Sequence, residues 1–205
     1  MKKYELTSET KIVFGHILYR IKALSSFGCV SAGDLGGFLE SEKNLSQNGN
    51  AWVYGNAEVY GDARVSGDAR VYGDARVYGD ARVYGNAWVY GNAWVYGNAE
   101  VYGNAEVSGD ARVSGDAWVY GDAEVSEIGA IFWIGAVGSR NDTATFFRCR
   151  DGSIKVVCGC FFGNLDEFAK KVRKTHGDND HAKVYMLAID MAKIRISTEK
   201  EKTEE

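Results

Sequence analysis

Small apolar residues alternate with polar or aromatic ones through the middle of the chain, in a six-residue pattern. From Gly49 to Ser126 the sequence repeats Gly-(Asp/Asn)-Ala-x-Val-(Tyr/Ser) thirteen times without insertion or deletion. Within each unit the alternation places Ala and Val on one face of a short strand, and the variable and aromatic residues on the other. Such repetition predicts a solenoid, in which each unit stacks on an equivalent unit one coil away.

The Gly-Asp and Gly-Asn steps predict the corners between these strands. Glycine adopts positive φ without steric cost, and Asp or Asn side chains hydrogen-bond to nearby backbone. The chain has 25 glycines and no proline, and proline would remove donors from the ladder between coils. The Asp/Asn row also suggests a mimic of DNA phosphates, but six of the thirteen positions are Asn, so corner geometry is the favoured explanation.

The repeat resembles the hexapeptide-repeat family, in which an aliphatic residue is followed four positions later by a small one. Val53 with Ala57, and Val71 with Ala75, have this spacing. The resemblance implies a mainly β chain that forms a left-handed parallel β-helix, with three repeats per coil and about four coils in thirteen repeats. It also implies a homotrimer. The Tyr or Ser that follows Val here departs from the family, which often has a small or acidic residue there.

Three repeats per coil would stack residues that lie eighteen positions apart. Most vertical neighbours on the outside are then Arg on Trp or Arg on Glu, which favours cation–π contacts and ion pairs. The tyrosines form separate ladders, interpreted either as stabilisers of the stack or as a surface for self-association or a ligand. Under the second interpretation, Trp88 and Trp94 are candidate binding residues.

The flanking segments predict two further units. Residues 1–48 are expected to form an N-terminal β cap, and residues 49–134 the solenoid. Residues 135–196 are expected to form a small α+β domain. The charged tail at 197–205 is expected to be disordered.

The cap sequence predicts two strands joined at Gly15-His16. Leu39 and Leu45 follow in frame with the Ala position of the repeat. The cap motif Gly-Asp-Leu-Gly-Gly-Phe at 33–38, followed by Asn-Leu-Ser-Gln at 44–47, is similar to uncharacterised hexapeptide-repeat proteins of bacteria and their prophages. Some of those proteins are labelled acyltransferases.

The α+β domain is predicted from local signals. An Asp151-Gly152 turn indicates a hairpin. Asn164 as N-cap with Glu167 three residues later, and Gly177 beyond the end, predict a helix. A second helix is expected over 181–196. This domain also resembles the C-termini of phage-encoded repeat proteins.

Charge and composition narrow the function classes. The formal net charge is −4, and no segment has the basic character of a nucleic-acid binder. We expect no membrane span and no signal peptide, and hence a cytoplasmic location in a bacterial host cell. The four cysteines are expected to be reduced.

Catalytic and metal chemistry have few candidates. The solenoid contains no histidine; His16, His176 and His181 lie in the flanks. Cys158 and Cys160 do not have the usual zinc spacing, and strand alternation would place both on one buried face. We therefore expect no metal and no cofactor.

The sequence thus favours a non-enzymatic, self-associating binding or scaffold protein, with a phage- or prophage-related role such as inhibition of host defence or attachment to a virion. The C-terminal domain would recognise a protein partner, with Arg140, Asp142 and Arg148 as candidate binding residues. The alternative is an acyl-CoA-dependent acyltransferase, which rests on analogy with the family.

Overall fold

The fold is a parallel β-solenoid with a β-hairpin at one end and a sheet with two helices at the other, so the expected mainly β architecture is confirmed. The computed structural model describes residues 2–196. The predicted disorder of 197–205 lies outside the described residues. No helix within the described part of the chain is long and apolar enough to cross a membrane.

Each repeat contributes one two-residue strand. The thirteen strands are β4 (Trp52–Val53), β5 (Glu58–Val59), β6 (Arg64–Val65), β7 (Arg70–Val71), β8 (Arg76–Val77), β9 (Arg82–Val83), β10 (Trp88–Val89), β11 (Trp94–Val95), β12 (Glu100–Val101), β13 (Glu106–Val107), β14 (Arg112–Val113), β15 (Trp118–Val119) and β16 (Glu124–Val125). Wall 1 contains β4, β7, β10, β13 and β16, wall 2 contains β5, β8, β11 and β14, and wall 3 contains β6, β9, β12 and β15. Pairing is parallel, as in Trp88 with Arg70 and with Glu106, which confirms the eighteen-residue register.

Backbone hydrogen bonds run along the axis from coil to coil. In a typical unit, the N–H groups of Asn86, Trp88 and Tyr90 donate to carbonyls seventeen residues ahead, at 2.8, 2.9 and 2.9 Å. The corner residue is therefore bonded as well as the strand. This continuity satisfies backbone groups that would otherwise be buried without partners.

The Ala and Val columns face inward, as the alternation predicts. Every repeat Ala and Val is at most 1 % exposed. They form one continuous apolar core that extends into the hairpin through Tyr4 and Ile21, and into the C-terminal sheet through Phe147.

The outer residues contact their axial neighbours, and the expected cation–π contacts are confirmed. The guanidinium of Arg70 lies 5.4 Å from the Trp88 ring centroid. Trp94 lies between Arg76 and Arg112, at 5.2 and 4.8 Å.

The N-terminal segment forms β1 (Tyr4–Val13), β2 (His16–Ala23) and β3 (Leu35–Leu39). β1 and β2 are the predicted hairpin, with the turn at Phe14-Gly15 rather than Gly15-His16. β3 pairs in parallel with β5, so the hairpin extends wall 2.

One detail of the predicted cap is wrong. Leu39 pairs with Val59, and Leu45 bridges Val65, so both leucines occupy the Val column rather than the Ala position. The reason is that the chain between Leu45 and Val53 is longer than one repeat, which shifts the cap out of the frame of the solenoid.

The C-terminal domain contains β17 (Ile131–Val137), β18 (Asp142–Arg148), β19 (Ile154–Cys158) and β20 (Phe161–Asn164) in one antiparallel sheet, followed by α1 (Leu165–His176) and α2 (Asp180–Arg195). The predicted hairpin and both helices are confirmed. The Asn164 side chain accepts from the Glu167 N–H, and the Glu167 side chain accepts from the Asn164 N–H. Tyr185, Ala188, Ile189 and Ala192 face the sheet.

The corner glycines generate a prediction that separates backbone strain from crowding. Gly67 has φ of +69°, and a Cβ there would lie 2.9 Å from the backbone N of Gly85. Gly55 has φ of +57°, but a Cβ there meets nothing within 4 Å. Gly55→Ala should cost about 1 kcal/mol from positive φ alone, and Gly67→Ala roughly 1–3 kcal/mol more because the coils must separate. Urea unfolding of the two variants measures this difference; equal losses would contradict the close stacking of corners.

Candidate functional site

A cleft in the C-terminal domain brings together two of the sequence-predicted residues. Arg140 and Asp142 lie where the 138–141 loop enters β18, and they line a cavity of about 190 Å³. Positive φ at Gly138 and Asn141 shapes this loop. The floor is apolar and aromatic. The other lining residues come from β19, the turn that follows it, β20, α1 and α2: Cys158, Gly159, Cys160, Phe161, Phe168, Lys171, Val172, Thr175, His176 and Tyr185.

Cys158 and Tyr185 meet inside the cleft. The Cys158 Sγ and the Tyr185 Oη are 3.6 Å apart. Burial raises the pKa of both groups, and Arg140 only partly offsets this. At neutral pH both are therefore protonated, and a protonated thiol is a poor nucleophile. This arrangement suits binding better than covalent catalysis.

Cys160 does not share the environment of Cys158. The two were expected on one buried strand face, but Cys160 is exposed whereas Cys158 is half-buried. The expectation is wrong because Gly159, with φ of +56°, ends β19 and turns the chain before β20 begins. No group of three metal-ligating side chains occurs among the residues that the structure describes.

The rim of the cleft carries more positive than negative charge. Arg140 and Lys171 face it, against the single carboxylate of Asp142. His176 adds a ring 5.9 Å from that of Tyr185. An aromatic floor with a cationic rim is complementary to an acidic peptide segment or a small organic anion.

Arg148 lies apart from this cleft. It is 3 % exposed and contacts the end of the solenoid, where it donates to Glu127 Oε1 at 3.0 Å and to Ser126 Oγ at 2.7 Å. These bonds attach β18 to the last coil. Its role in the structure is to join the two units.

The two predicted tryptophans also lie apart from each other. Trp88 is on wall 1 and is 37 % exposed, whereas Trp94 is on wall 2 and is held between two arginines. They do not form one site.

Sequence reasoning did not identify Lys171 and Tyr185 as site residues. Tyr185 has the spacing of the buried face of α2, and Lys171 resembles any other lysine on an exposed helix. The cleft exists because α1 and α2 pack beside the 138–141 loop, and no local pattern encodes that contact.

A different polar pair lies at the N-terminal hairpin. His16 Nδ1 is 3.0 Å from Glu40 Oε1. This hydrogen bond, with a smaller contribution from the Gly61 N–H, holds the pKa of the Glu40 carboxyl below its usual value. The His16 ring lies 5.1 Å from that of Tyr60.

In the comparison with known proteins, the matching residues all lie in the solenoid. The model of the YdcK beta-solenoid repeat matches residues 57–73, 63–79, 69–85, 75–91, 81–97 and 105–121, which together span well under half of the chain. Most successive matches begin six residues apart, in step with the repeat. No curated protein matches the chain. The chain is therefore a repeat β-solenoid protein whose coils are similar to the YdcK beta-solenoid repeat.

Proposed function

We propose that this protein is a non-enzymatic, self-associating scaffold, in which the solenoid is a rigid spacer and the C-terminal domain binds a protein partner. The proposal includes a left-handed coil, which the resemblance of the repeats implies, and a cytoplasmic location in bacteria, which the sequence features described above favour. The same resemblance suggests a component of host defence or a virion protein as the partner.

The observation that carries the proposal is the outer face of α2. Val184, Leu187, Met191 and Ile194 are 39, 63, 51 and 87 % exposed. Their spacing of three, four and three residues is that of a coiled-coil seam. The opposite face of α2 is buried against the sheet, so the helix is apolar on both sides. A helix of this kind is normally covered on both sides, and helices from other copies fit this seam.

The solenoid walls support the spacer role. Their outer side chains are largely engaged with axial neighbours within the chain, as in the ion pair of Glu58 with Arg76 at 3.0 Å. The tyrosine ladders are also intramolecular, with Tyr72 and Tyr90 stacked at 4.8 Å. Side chains that are already engaged give rigidity and leave less of the wall free for partners.

The cleft beside Arg140 and Lys171 is the proposed recognition site for the partner. It lies on the same domain as α2, so self-association would present several clefts together. Clefts linked in this way bind a multivalent partner with higher overall affinity than a single cleft does.

The seam on α2 predicts an assembly that two substitutions abolish. The parent protein should be a trimer in multi-angle light scattering at micromolar concentration. Leu187→Glu with Ile194→Glu should give a monomer of 22.5 kDa, because charges would then lie in the apolar interface. Both residues are exposed in the single chain, so the variant should keep its fold and a cooperative unfolding transition, at a melting temperature lowered by the loss of association.

The matched control is Lys174→Glu, which adds the same side chain at an exposed position of α1. It should leave the assembly unchanged. A parent protein that is monomeric, or a double variant that still assembles, would contradict the proposal.

The His16–Glu40 pair favours a second candidate, an acyl-CoA-dependent acyltransferase. A histidine oriented by a carboxylate is the arrangement of a general base. Under this alternative, millimolar acetyl-CoA should raise the melting temperature, because a ligand that binds only the native state stabilises it. His16→Ala should remove any transferase activity while binding persists. If acetyl-CoA does not raise the melting temperature of the parent protein, the acyltransferase alternative is contradicted and the scaffold function remains the proposal.

A further inference from the structure

The tyrosine ladder of wall 2 is regular as far as Tyr96. Tyr60 and Tyr78 stack with centroids 5.0 Å apart, and so do Tyr78 and Tyr96, with rings parallel to within 3°. Below Tyr60 the ladder is continued by His16. Above Tyr96 the next position of the repeat is Ser114, which has no ring.

Beyond Ser114 the C-terminal domain supplies a ring, that of Phe132, which also packs against Phe146 at 5.7 Å. Phe132 follows Ser114 by eighteen residues and directly follows Ile131, which is buried in the core of the solenoid at the position of a repeat Val. The level of Ser114 therefore lacks the ring that the tyrosines provide below it, and Phe132 lines the same cavity as Tyr96 and Ser114.

Wall 3 shows the same ladder without a gap. Tyr84, Tyr102 and Tyr120 stack at 4.8 and 4.7 Å, and Phe162 of the C-terminal domain continues them at 4.3 Å from Tyr120. Wall 1 also lacks a ring above Tyr90, where Ser108 and Ser126 follow. A ladder therefore stops where serine replaces tyrosine, and the junction with the C-terminal domain does not require the gap.

A cavity of about 420 Å³ lies at the level of Ser114. Tyr96, Ser114 and Phe132 line it, and Trp133 forms one side. The Trp133 Nε1 lies close above the corner at Gly115. Aromatic surfaces therefore enclose the position where a ring is absent.

Two arginines also line this cavity. Arg112 is exposed and rests on the ring of Trp94, with its guanidinium 4.8 Å from the centroid. Arg195 donates to the carbonyl of Ile128 at 3.4 Å. Neither forms an ion pair with a carboxylate in residues 2–196, and the nearby Glu127 is paired with Arg148. Both guanidiniums have donors available for an anion.

We propose that this cavity is a binding site for a planar aromatic or heteroaromatic ring that carries a phosphate or carboxylate group. The ring stacks between Tyr96 and Phe132 in place of the missing tyrosine, and the anionic group accepts hydrogen bonds from Arg112 and Arg195. Stacking on aromatic faces and charge-assisted bonds to arginine are the two interactions that such a ligand makes best. The site is separate from the cleft of the C-terminal domain and does not rest on the proposed scaffold function.

The test is a titration of the full chain with adenosine 5′-monophosphate and with phenyl phosphate, followed by the NMR signals of their ring protons. Both probes should bind, and their ring protons should shift upfield because each ring lies between two aromatic faces. Adenosine and inorganic phosphate, which each lack one of the two features, should bind at least tenfold more weakly. If only one probe binds, the site accepts a ring of that size. If neither probe binds at millimolar concentration, the proposal is overturned.

Two variants locate the site. Ser114→Tyr should complete the ladder and abolish probe binding, with folding preserved because Tyr occupies nine of the thirteen equivalent positions. Its control is Ser66→Tyr, which adds a tyrosine beside Tyr84 on wall 3 and should leave binding unchanged. Arg112→Gln should weaken binding of adenosine 5′-monophosphate roughly tenfold and leave the weak binding of adenosine unaltered. Unchanged affinity in both Ser114→Tyr and Arg112→Gln would place any observed binding elsewhere and refute the proposed site.

Discussion

Every residue of the solenoid lies above the one eighteen positions earlier, and the hydrogen bonds between coils hold it there. This axial register is the constraint on which the rest of the structure depends. Because a strand of two residues has few bonds of its own, it is stable only when the coils before and after it are in place. Each side chain must therefore suit its axial neighbours before it can serve any other purpose. Val stacks on Val and glycine on glycine, and most arginines stack on tryptophan or glutamate, although Arg64 pairs with Arg82.

The same constraint explains the mixture of Asp and Asn at the corners. A column of aspartates would place carboxylates about 5 Å apart along the axis, where like charges repel. In this chain an Asn commonly lies next to an Asp, and its amide donates to the carboxylate, as from Asn98 to Asp116 at 2.8 Å and from Asn92 to Asp110 at 3.1 Å. The six asparagines therefore have a structural cause that is independent of any imitation of DNA. The aromatic ladders obey the same rule, and each ladder stops where a serine replaces the tyrosine, as at Ser108 and Ser114.

The sequence predicted correctly those features that depend on neighbouring residues in the chain. The strands, the capping box at Asn164 and the hairpin at Asp151-Gly152 follow from spacing and residue type, and the eighteen-residue register follows from the resemblance to the hexapeptide-repeat family; the structure confirms them. The errors and omissions concern contacts between segments distant in the chain. Leu39 enters the Val column because the cap joins the solenoid out of frame, and the cleft at Arg140 forms only when α1 and α2 pack beside its loop. The environment of a residue in the flanks depends on that packing, whereas in the repeats it depends only on position within the unit.

The central claim is that axial register, rather than the number of residues, determines stability, and two deletions test it directly. Removing residues 73–90 takes out one complete coil and leaves all remaining residues above an equivalent neighbour. Removing residues 74–76 takes out only half a repeat but places inward residues outward and breaks one corner. Thermal unfolding followed by far-UV circular dichroism should show a cooperative transition for the eighteen-residue deletion, only modestly below that of the parent. The three-residue deletion should lose far more stability. A three-residue deletion that melts like the parent, or an eighteen-residue deletion that fails to fold, would contradict this account.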